Sequence, residues 1–331
     1  MRITREALIR IAKETAQKRA FSDSDLVAGY LVGSLRSDNP FLGNSTDIDI
    51  VFVHAGFPII HREILPITPE IHLDIVHNVR GEYEKPKELR INPWFGPELY
   101  DPLPLYGTLH FFEFVQAGVR AEYNEPVNVL ARSRQLGEHA RQIWSGLQRN
   151  QDTGPELLLS YLKGVNHAAN AVALLAGTLL SERRFLLQFQ EKARAVGAPG
   201  LVPRLFELIG GEQVTTATLR GFLTEWEKGF IDAAGRNGVH TSISVHRLAY
   251  YKRSFEALLA SEPPQSILWP LIHTWTLAAA VLPPTHRVEW QTACETLGLV
   301  GNAFNGHVQK LDNFLDDVEE LMEKKASSYG L

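Results

Sequence analysis

Aspartate and isoleucine alternate in residues 47–50, and an apolar, mostly β-branched run continues to residue 53, so that residues 47–53 read DIDIVFV. A period of two predicts a β-strand whose side chains point to opposite faces of a sheet. Asp47 and Asp49 then share one face with two valines, while the isoleucines and the phenylalanine take the other. An apolar run over residues 26–33 and a short alternating segment over residues 71–76 predict two further strands. The Pro- and Gly-bearing segment 55–70 is expected to hold loops and at most a short helix.

The rest of the chain shows helical spacing. Residues 2–19 have the pattern of an amphipathic helix, with Thr4 as a candidate N-cap. Beyond residue 107 the helical pattern continues almost to the end of the chain. Apolar periodicity and Gly, Pro and Asn breaks predict helices over residues 108–122, 126–149, 155–181, 183–196, 215–235, 242–260, 285–299 and 305–326.

A segment rich in proline separates the two patterns. Residues 85–107 carry five prolines, which prevent a continuous helix or a central strand, and four aromatic residues, which favour a packed junction over a free linker. We therefore predict an α+β protein. A small mixed-sheet domain over residues 1–107 includes this junction, and an all-helical domain follows over residues 108–331.

Composition narrows the classes of function. The net charge of -5 predicts no general affinity for nucleic acid. Cys294 is the one cysteine, which excludes an intrachain disulfide and a cysteine-based zinc cluster and favours an intracellular, cytoplasmic protein. No apolar run is long enough to cross a bilayer, and the N-terminus lacks the apolar core of a signal peptide. A soluble two-domain protein is expected.

The paired aspartates are the strongest chemical signal. Two positions on a strand span about 6.7 Å, so both carboxylates can reach one hard cation or a pair of them. The preceding strand ends in Gly33-Ser34, a small pair that lets backbone amides turn towards an anion. Asp74 can face the same way as the pair if its strand has a suitable register. The alternative is a strand edge whose aspartates only face water.

The order of these features resembles the nucleotidyltransferase superfamily of DNA polymerase β. An apolar strand ends in Gly-Ser at positions 33–34, twelve residues separate this pair from Asp-x-Asp at 47–49, and a lone aspartate follows at position 74. The layout looks most like small bacterial enzymes related to aminoglycoside nucleotidyltransferases, in which a compact catalytic domain precedes a helical one. The insert over residues 36–44 is at the upper end of the usual spacing, and its role stays open.

The resemblance implies a reaction and a set of roles. A nucleoside monophosphate would move from a nucleoside triphosphate such as ATP to a hydroxyl of a small molecule or protein, and pyrophosphate would leave. Asp47 and Asp49 would ligate two Mg²⁺ ions, Asp74 would complete the metal site, and the backbone around Gly33 and Ser34 would hold the β- and γ-phosphates.

Further nucleotide contacts are expected from two places. Four polar residues line one stripe of the predicted helix over residues 155–181: Lys163, Asn166, His167 and Asn170. Lys163 and the two asparagines are the candidate contacts, because the resembling enzymes use helical-domain side chains to contact the nucleotide. A solvent-facing stripe is the alternative. Arg36 follows the Gly-Ser pair and is a candidate donor to the triphosphate, with a surface-loop arginine as the alternative.

Two further assignments concern the general base and a zinc site. No single general base for the acceptor hydroxyl is identified: the candidates near the junction are Glu113, Glu122, Glu125 and Glu156, and the alternatives are Asp74 and a metal-bound hydroxide. A zinc site built from His72, Asp74 and His77 is disfavoured, because strand alternation places His77 on the face opposite the other two.

Two other functions remain as alternatives. The first is a nucleotide-binding or antitoxin-type module on the same fold without catalysis, because a fold does not fix a function. The second is a tRNA-modifying nucleotidyltransferase, which the net charge and the lack of a Lys/Arg-rich run disfavour. The sequence predicts a monomer or a homodimer and names neither the acceptor nor the preferred triphosphate.

Overall fold

The computed structural model describes residues 3–108, 110–149, 154–212 and 214–331. The chain divides into two compact units, one formed by Met1–Glu125 with Ala249–Ser254 and the other by Pro126–Leu248 with Phe255–Leu331. The class is α+β, as predicted: the first unit carries a mixed sheet, and the described elements of the second are helices. The predicted domain boundary between residues 107 and 108 falls inside the first unit.

A five-stranded sheet organises the first unit. Its strands are β1 (Leu26–Val32), β2 (Thr46–His54), β3 (Arg62–Thr68), β4 (Ile71–Val79) and β5 (Leu103–Gly107). The order is β3-β4-β2-β1-β5, with β2 and β4 parallel and the other neighbours antiparallel. Predicted strands correspond to β1, β2 and β4.

The two unpredicted strands are the edges of the sheet. β3 occupies the segment for which we expected loops and a short helix, so that prediction was wrong. β3 contains Pro66 and β5 contains Pro104, and proline is tolerated on edge strands because its missing N–H can lie on the unpaired side. Proline, which argued against strands in these segments, therefore lies in both edge strands of the sheet.

The helices largely follow the predicted periodicity. They are α1 (Arg5–Ser22), α2 (Pro86–Ile91), α3 (Phe95–Tyr100), α4 (Phe111–Arg120), α5 (Pro126–Leu147), α6 (Pro155–Leu175), α7 (Phe185–Ala195), α8 (Leu201–Leu208), α9 (Thr216–Ala234), α10 (Leu248–Leu259), α11 (Leu268–Val281), α12 (Val288–Thr296) and α13 (Phe304–Tyr329). Thr4 caps α1 by accepting a hydrogen bond from the Ala7 amide at 3.3 Å. Residues 2 and 109, which two predicted helices include, lie outside the described residues.

Both faces of the sheet are buried, which fixes the orientation of β2. Ile48 and Ile50 lie in the core that contains Leu8, Ala12 and Ala16 of α1. The valines of β2 lie in a second core with residues of α2, α3 and α4. The aspartates of β2 share the face of these valines, so the acidic positions continue a buried face.

A polar network lies within this second core. The Tyr30 hydroxyl donates to Glu98 Oε1 at 2.6 Å, and its oxygen lies 2.7 Å from the hydroxyl oxygen of Tyr83. Asn78 donates to the Tyr83 hydroxyl at 2.8 Å. Burial raises the pKa of the Glu98 carboxyl above its ordinary value, although the hydrogen bond from Tyr30 opposes the shift. The network ties α3 to β1.

The helices of the second unit pack closely around α6. Gly164 of α6 lies where a Cβ would be 3.3 Å from Ile143 of α5 and 3.4 Å from Leu311 of α13. The Ser133 hydroxyl of α5 donates to the Ala171 carbonyl of α6 at 2.7 Å. Among the helices of the described residues, none is both long and apolar enough to span a membrane.

Candidate functional site

The parallel register of β2 and β4 brings acidic side chains together. Asp47 pairs with His72, and Asp49 pairs with Asp74 two positions later. Paired residues of parallel strands point to the same face, and adjacent strands lie about 4.8 Å apart. This register meets the condition under which Asp74 faces the same way as Asp47 and Asp49.

Three of these side chains form a compact cluster. Asp47, His72 and Asp74 each offer one ligand atom, and these atoms all lie within 4.8 Å of one another. All three side chains are buried. A carboxylate is costly to bury unless a cation or hydrogen-bond donors compensate it, so the arrangement suits a bound cation.

Gly33 is required by the position of Asp49. Gly33 has φ +71° and ψ −156°, a conformation that side chains strongly disfavour. A Cβ built on Gly33 would lie 1.8 Å from Asp49 Oδ2. The chain then enters a 3-10 turn, Ser34–Arg36, and the Ser34 hydroxyl oxygen lies 2.9 Å from that of Thr46 at the start of β2. The Gly-Ser turn and the Asp-x-Asp strand are therefore in direct contact.

The structure adds a cation that sequence reasoning missed. Arg62 of β3 donates from Nε to Asp74 Oδ1 at 2.7 Å and from Nη2 to Oδ2 at 2.6 Å. A bidentate pair of this kind is a strong charge-assisted contact. Arg62 lies in the segment predicted as loops, and its approach to Asp74 depends on the β3–β4 pairing, so no local pattern pointed to it.

A second missed residue comes from far along the chain. The Tyr250 hydroxyl donates to Asp47 Oδ2 at 2.5 Å. Tyr250 belongs to the short segment Ala249–Ser254 of α10, which clusters with the first unit. The 203 positions between the two residues leave no sequence signal for this contact.

Arg36, a predicted nucleotide ligand, contacts an acidic residue of its own unit. It donates from Nε to the Asp101 carbonyl at 3.0 Å and from Nη2 to Asp101 Oδ2 at 2.9 Å. Arg120 also pairs with Asp101, at 3.1 Å. The role of Arg36 towards a nucleotide stays a prediction.

The predicted stripe on α6 has a mixed environment. Lys163 is exposed and lines a cavity of about 410 Å³ between α5 and α6. Asn170 is buried, donates to the Asn166 carbonyl at 3.0 Å and accepts the Leu180 amide at 2.8 Å. His167, in the same stripe, is also buried, so the stripe as a whole does not face solvent. The nucleotide-binding roles of Lys163, Asn166 and Asn170 stay predictions.

The candidate bases and histidines are placed as follows. The four glutamates at positions 113, 122, 125 and 156 are all exposed, and Glu122 pairs with Arg90. His77 lies on the face opposite His72, as strand alternation predicts, where its Nδ1 is 2.8 Å from His54 Nε2 and its Nε2 is 2.8 Å from Glu63 Oε1. The histidines at 72 and 77 do not form one site.

Comparison with known proteins adds a distant structural likeness. No protein-family profile and no curated protein sequence matches the chain. Among solved structures, the chain is similar to a nucleotidyltransferase-like protein from Exiguobacterium sibiricum 255-15, with 10% sequence identity, a TM-score of 0.27, and 76% of this chain and 79% of that chain covered. The described residues define an α+β protein with a buried carboxylate and imidazole cluster on a mixed sheet.

Proposed function

We propose that the chain is a divalent-metal-dependent nucleotidyltransferase of the DNA polymerase β superfamily. It moves a nucleoside monophosphate from a nucleoside triphosphate, such as ATP, to a hydroxyl and releases pyrophosphate. The observation that carries the proposal is the β2–β4 register, which sets Asp47, Asp49 and Asp74 on one face beside the turn at Gly33. The similarity of the layout to aminoglycoside nucleotidyltransferase relatives favours a small-molecule or protein acceptor.

The donor set fits a divalent ion. Carboxylate oxygens are the preferred ligands of Mg²⁺, and the imidazole of His72 suits a transition ion such as Mn²⁺ better than Mg²⁺. Asp47, Asp49 and Asp74 would hold the ions, and His72 would add a nitrogen ligand on the Asp47 side. We therefore expect Mn²⁺ to bind at least as tightly as Mg²⁺.

Two groups of the chain have separate roles: the turn at Gly33 and Ser34 would bind phosphates, and Arg62 would orient Asp74. A bound divalent ion supplies charge neutralisation at the α-phosphate and at the leaving pyrophosphate. The backbone at Gly33 and Ser34 would bind the β- and γ-phosphates, because the glycine leaves that turn without a side chain beside Asp49. Arg62 supplies a fixed positive charge at Asp74.

The test is metal-dependent release of pyrophosphate from each of the four triphosphates, with pooled hydroxyl acceptors. Asp49→Asn should abolish release while the circular dichroism spectrum stays unchanged, because the amide keeps the shape and loses the charge. Asp38→Asn, at an exposed position of the insert between β1 and β2, is the matched control and should retain activity. Activity of Asp49→Asn near the wild-type level would refute the assignment.

One observation favours a second candidate, a nucleotide-binding module without catalysis. Both oxygens of Asp74 already accept hydrogen bonds from Arg62, so a cation compensates the third carboxylate without any metal. Calorimetric titration with a nonhydrolysable triphosphate distinguishes the candidates. Binding that needs Mg²⁺ or Mn²⁺ supports the enzyme, and binding that ignores the metal supports the module.

A further inference from the structure

The segment Ala249–Ser254 makes several contacts at the beginnings of β2 and β4. The Ser45 hydroxyl, next to β2, donates to the Tyr250 carbonyl at 3.1 Å. Within the segment itself, the Ser254 hydroxyl also donates to this carbonyl at 2.6 Å. Arg253 approaches Glu70, next to β4, at 3.9 Å. The hydrogen bond from Ser45 places the backbone of Tyr250 beside β2.

The side chain of Tyr250 reaches two members of that cluster. Its hydroxyl donates to Asp47 Oδ2 at 2.5 Å. Its ring meets the His72 ring edge-on, with centroids 4.7 Å apart and an interplanar angle of 78°. Tyr250 is only 3% exposed, so its ring is fixed by packing. One side chain therefore contacts both the carboxylate and the imidazole that β2 and β4 present at the same register position.

These contacts constrain the two ligand groups in different ways. The last torsion of an aspartate is broad, so an unconstrained carboxylate samples many orientations. A hydrogen bond to Oδ2 restricts that torsion, and a carboxylate that accepts one hydrogen bond can still bind a cation. The ring of Tyr250 packs against the imidazole and limits its rotation. Partners of this kind, which touch the ligands and not the ion, tune metal affinity.

We propose that Tyr250 is a positioning residue of the metal site, which holds Asp47 and His72 in the orientations that bind a divalent cation. This inference rests on the proposed function, because it requires the cluster to bind metal. It assigns a role in the site to a residue of the C-terminal half of the chain.

The test is titration of the full-length protein with Mn²⁺ alone, in which the electron paramagnetic resonance signal of free Mn²⁺ gives the affinity and the signal of bound Mn²⁺ reports its coordination. Tyr250→Phe removes one oxygen atom and keeps the ring. We expect about tenfold weaker Mn²⁺ binding, since loss of such partners typically costs 10- to 100-fold in metal affinity. The spectrum of the remaining bound Mn²⁺ should change as well.

Tyr161→Phe is the matched control. Tyr161 is a fully buried tyrosine of the second unit whose hydroxyl donates to the Leu208 carbonyl at 2.8 Å. Its loss should cost stability of similar size and leave the Mn²⁺ affinity unchanged. A purely structural role of Tyr250 would make the two variants behave alike.

The outcomes separate the inference from the function on which it rests. Wild-type protein that binds no Mn²⁺ overturns both. If the wild-type protein binds Mn²⁺ and Tyr250→Phe binds it with an affinity within twofold of the wild-type value, or more tightly, the positioning role alone is overturned. If Tyr250→Phe does not fold, the double variant Ser45→Ala with Ser254→Ala replaces it, because it removes both hydroxyls that donate to the Tyr250 carbonyl. Weaker Mn²⁺ binding by the double variant supports the role, and unchanged binding overturns it.

Discussion

Gly33 combines a backbone conformation that favours glycine with close contact to the Asp49 carboxylate. Its combination of positive φ with ψ −156° disfavours any residue with a Cβ by about 1–3 kcal/mol. The neighbouring Asp49 carboxylate occupies the space that a Cβ would need. Gly33→Ala should therefore reduce the free energy of unfolding by about 1–3 kcal/mol and weaken Mn²⁺ binding, because Asp49 has to move. Urea denaturation and Mn²⁺ titration measure the two effects.

The control for this variant is Gly81→Ala in the same unit. A Cβ at Gly81 meets nothing within 4 Å, and its φ is not positive. We expect little change in either measurement. Equal behaviour of the two variants would contradict the steric role of Gly33.

The residues of the site differ in how far apart in the sequence the interacting residues lie. Asp47 and Asp49 were predicted from alternation within one strand, and Asp74 from the same pattern in a second strand. Arg62 could not be predicted, because its contact depends on the antiparallel pairing of an edge strand. Tyr250 depends on a contact across 203 positions, which local periodicity does not record.

At the scale of elements, hydrophobic pattern predicted the central strands and the amphipathic helices. It missed α11, whose sequence LWPLIHTWTLAAAV is buried nearly all round. A helix without a polar face has no amphipathic period to detect. It also missed the two short helices and the edge strand within residues 85–107, because the prolines lie at helix starts and on an edge, where they are compatible with structure.

The stripe on α6 gives a prediction at this scale. Asn170→Ala removes the acceptor of the buried Leu180 amide and should reduce the free energy of unfolding by about 1–3 kcal/mol.

Lys163→Ala changes an exposed side chain and should alter stability by less than about 0.5 kcal/mol. We expect Lys163→Ala instead to weaken triphosphate binding. Unchanged triphosphate affinity, measured calorimetrically, would contradict the predicted role of Lys163.

At the scale of the whole molecule, buried histidines make stability depend on acidity. Burial, with the charges of Lys163 and His139, lowers the pKa of His167 from 6.5 to about 4. Burial also lowers the pKa of His54 and His307. The folded state binds fewer protons than the unfolded state between the two pKa values, so the stabilisation is complete above pH 6.5 and is lost as the pH falls towards 4.

Chemical denaturation between pH 8 and pH 4 measures this dependence. His167→Leu cannot take up the proton, so its free energy of unfolding should fall less with acidity, by up to about 3 kcal/mol. Gly81→Ala, which changes no titratable side chain, should keep the wild-type slope. A wild-type slope in His167→Leu would show that other groups carry the acid dependence.

The contact between Tyr250 and Asp47 has a consequence for biosynthesis. A ribosome adds about 5–20 residues per second, so the 203 positions between the two residues correspond to roughly 10–40 s of synthesis. The strands that carry the aspartates emerge long before the tyrosine that contacts them. A nascent chain can thus form the acidic face of the sheet, but that face receives its contact from Tyr250 only after much of the second unit has been made.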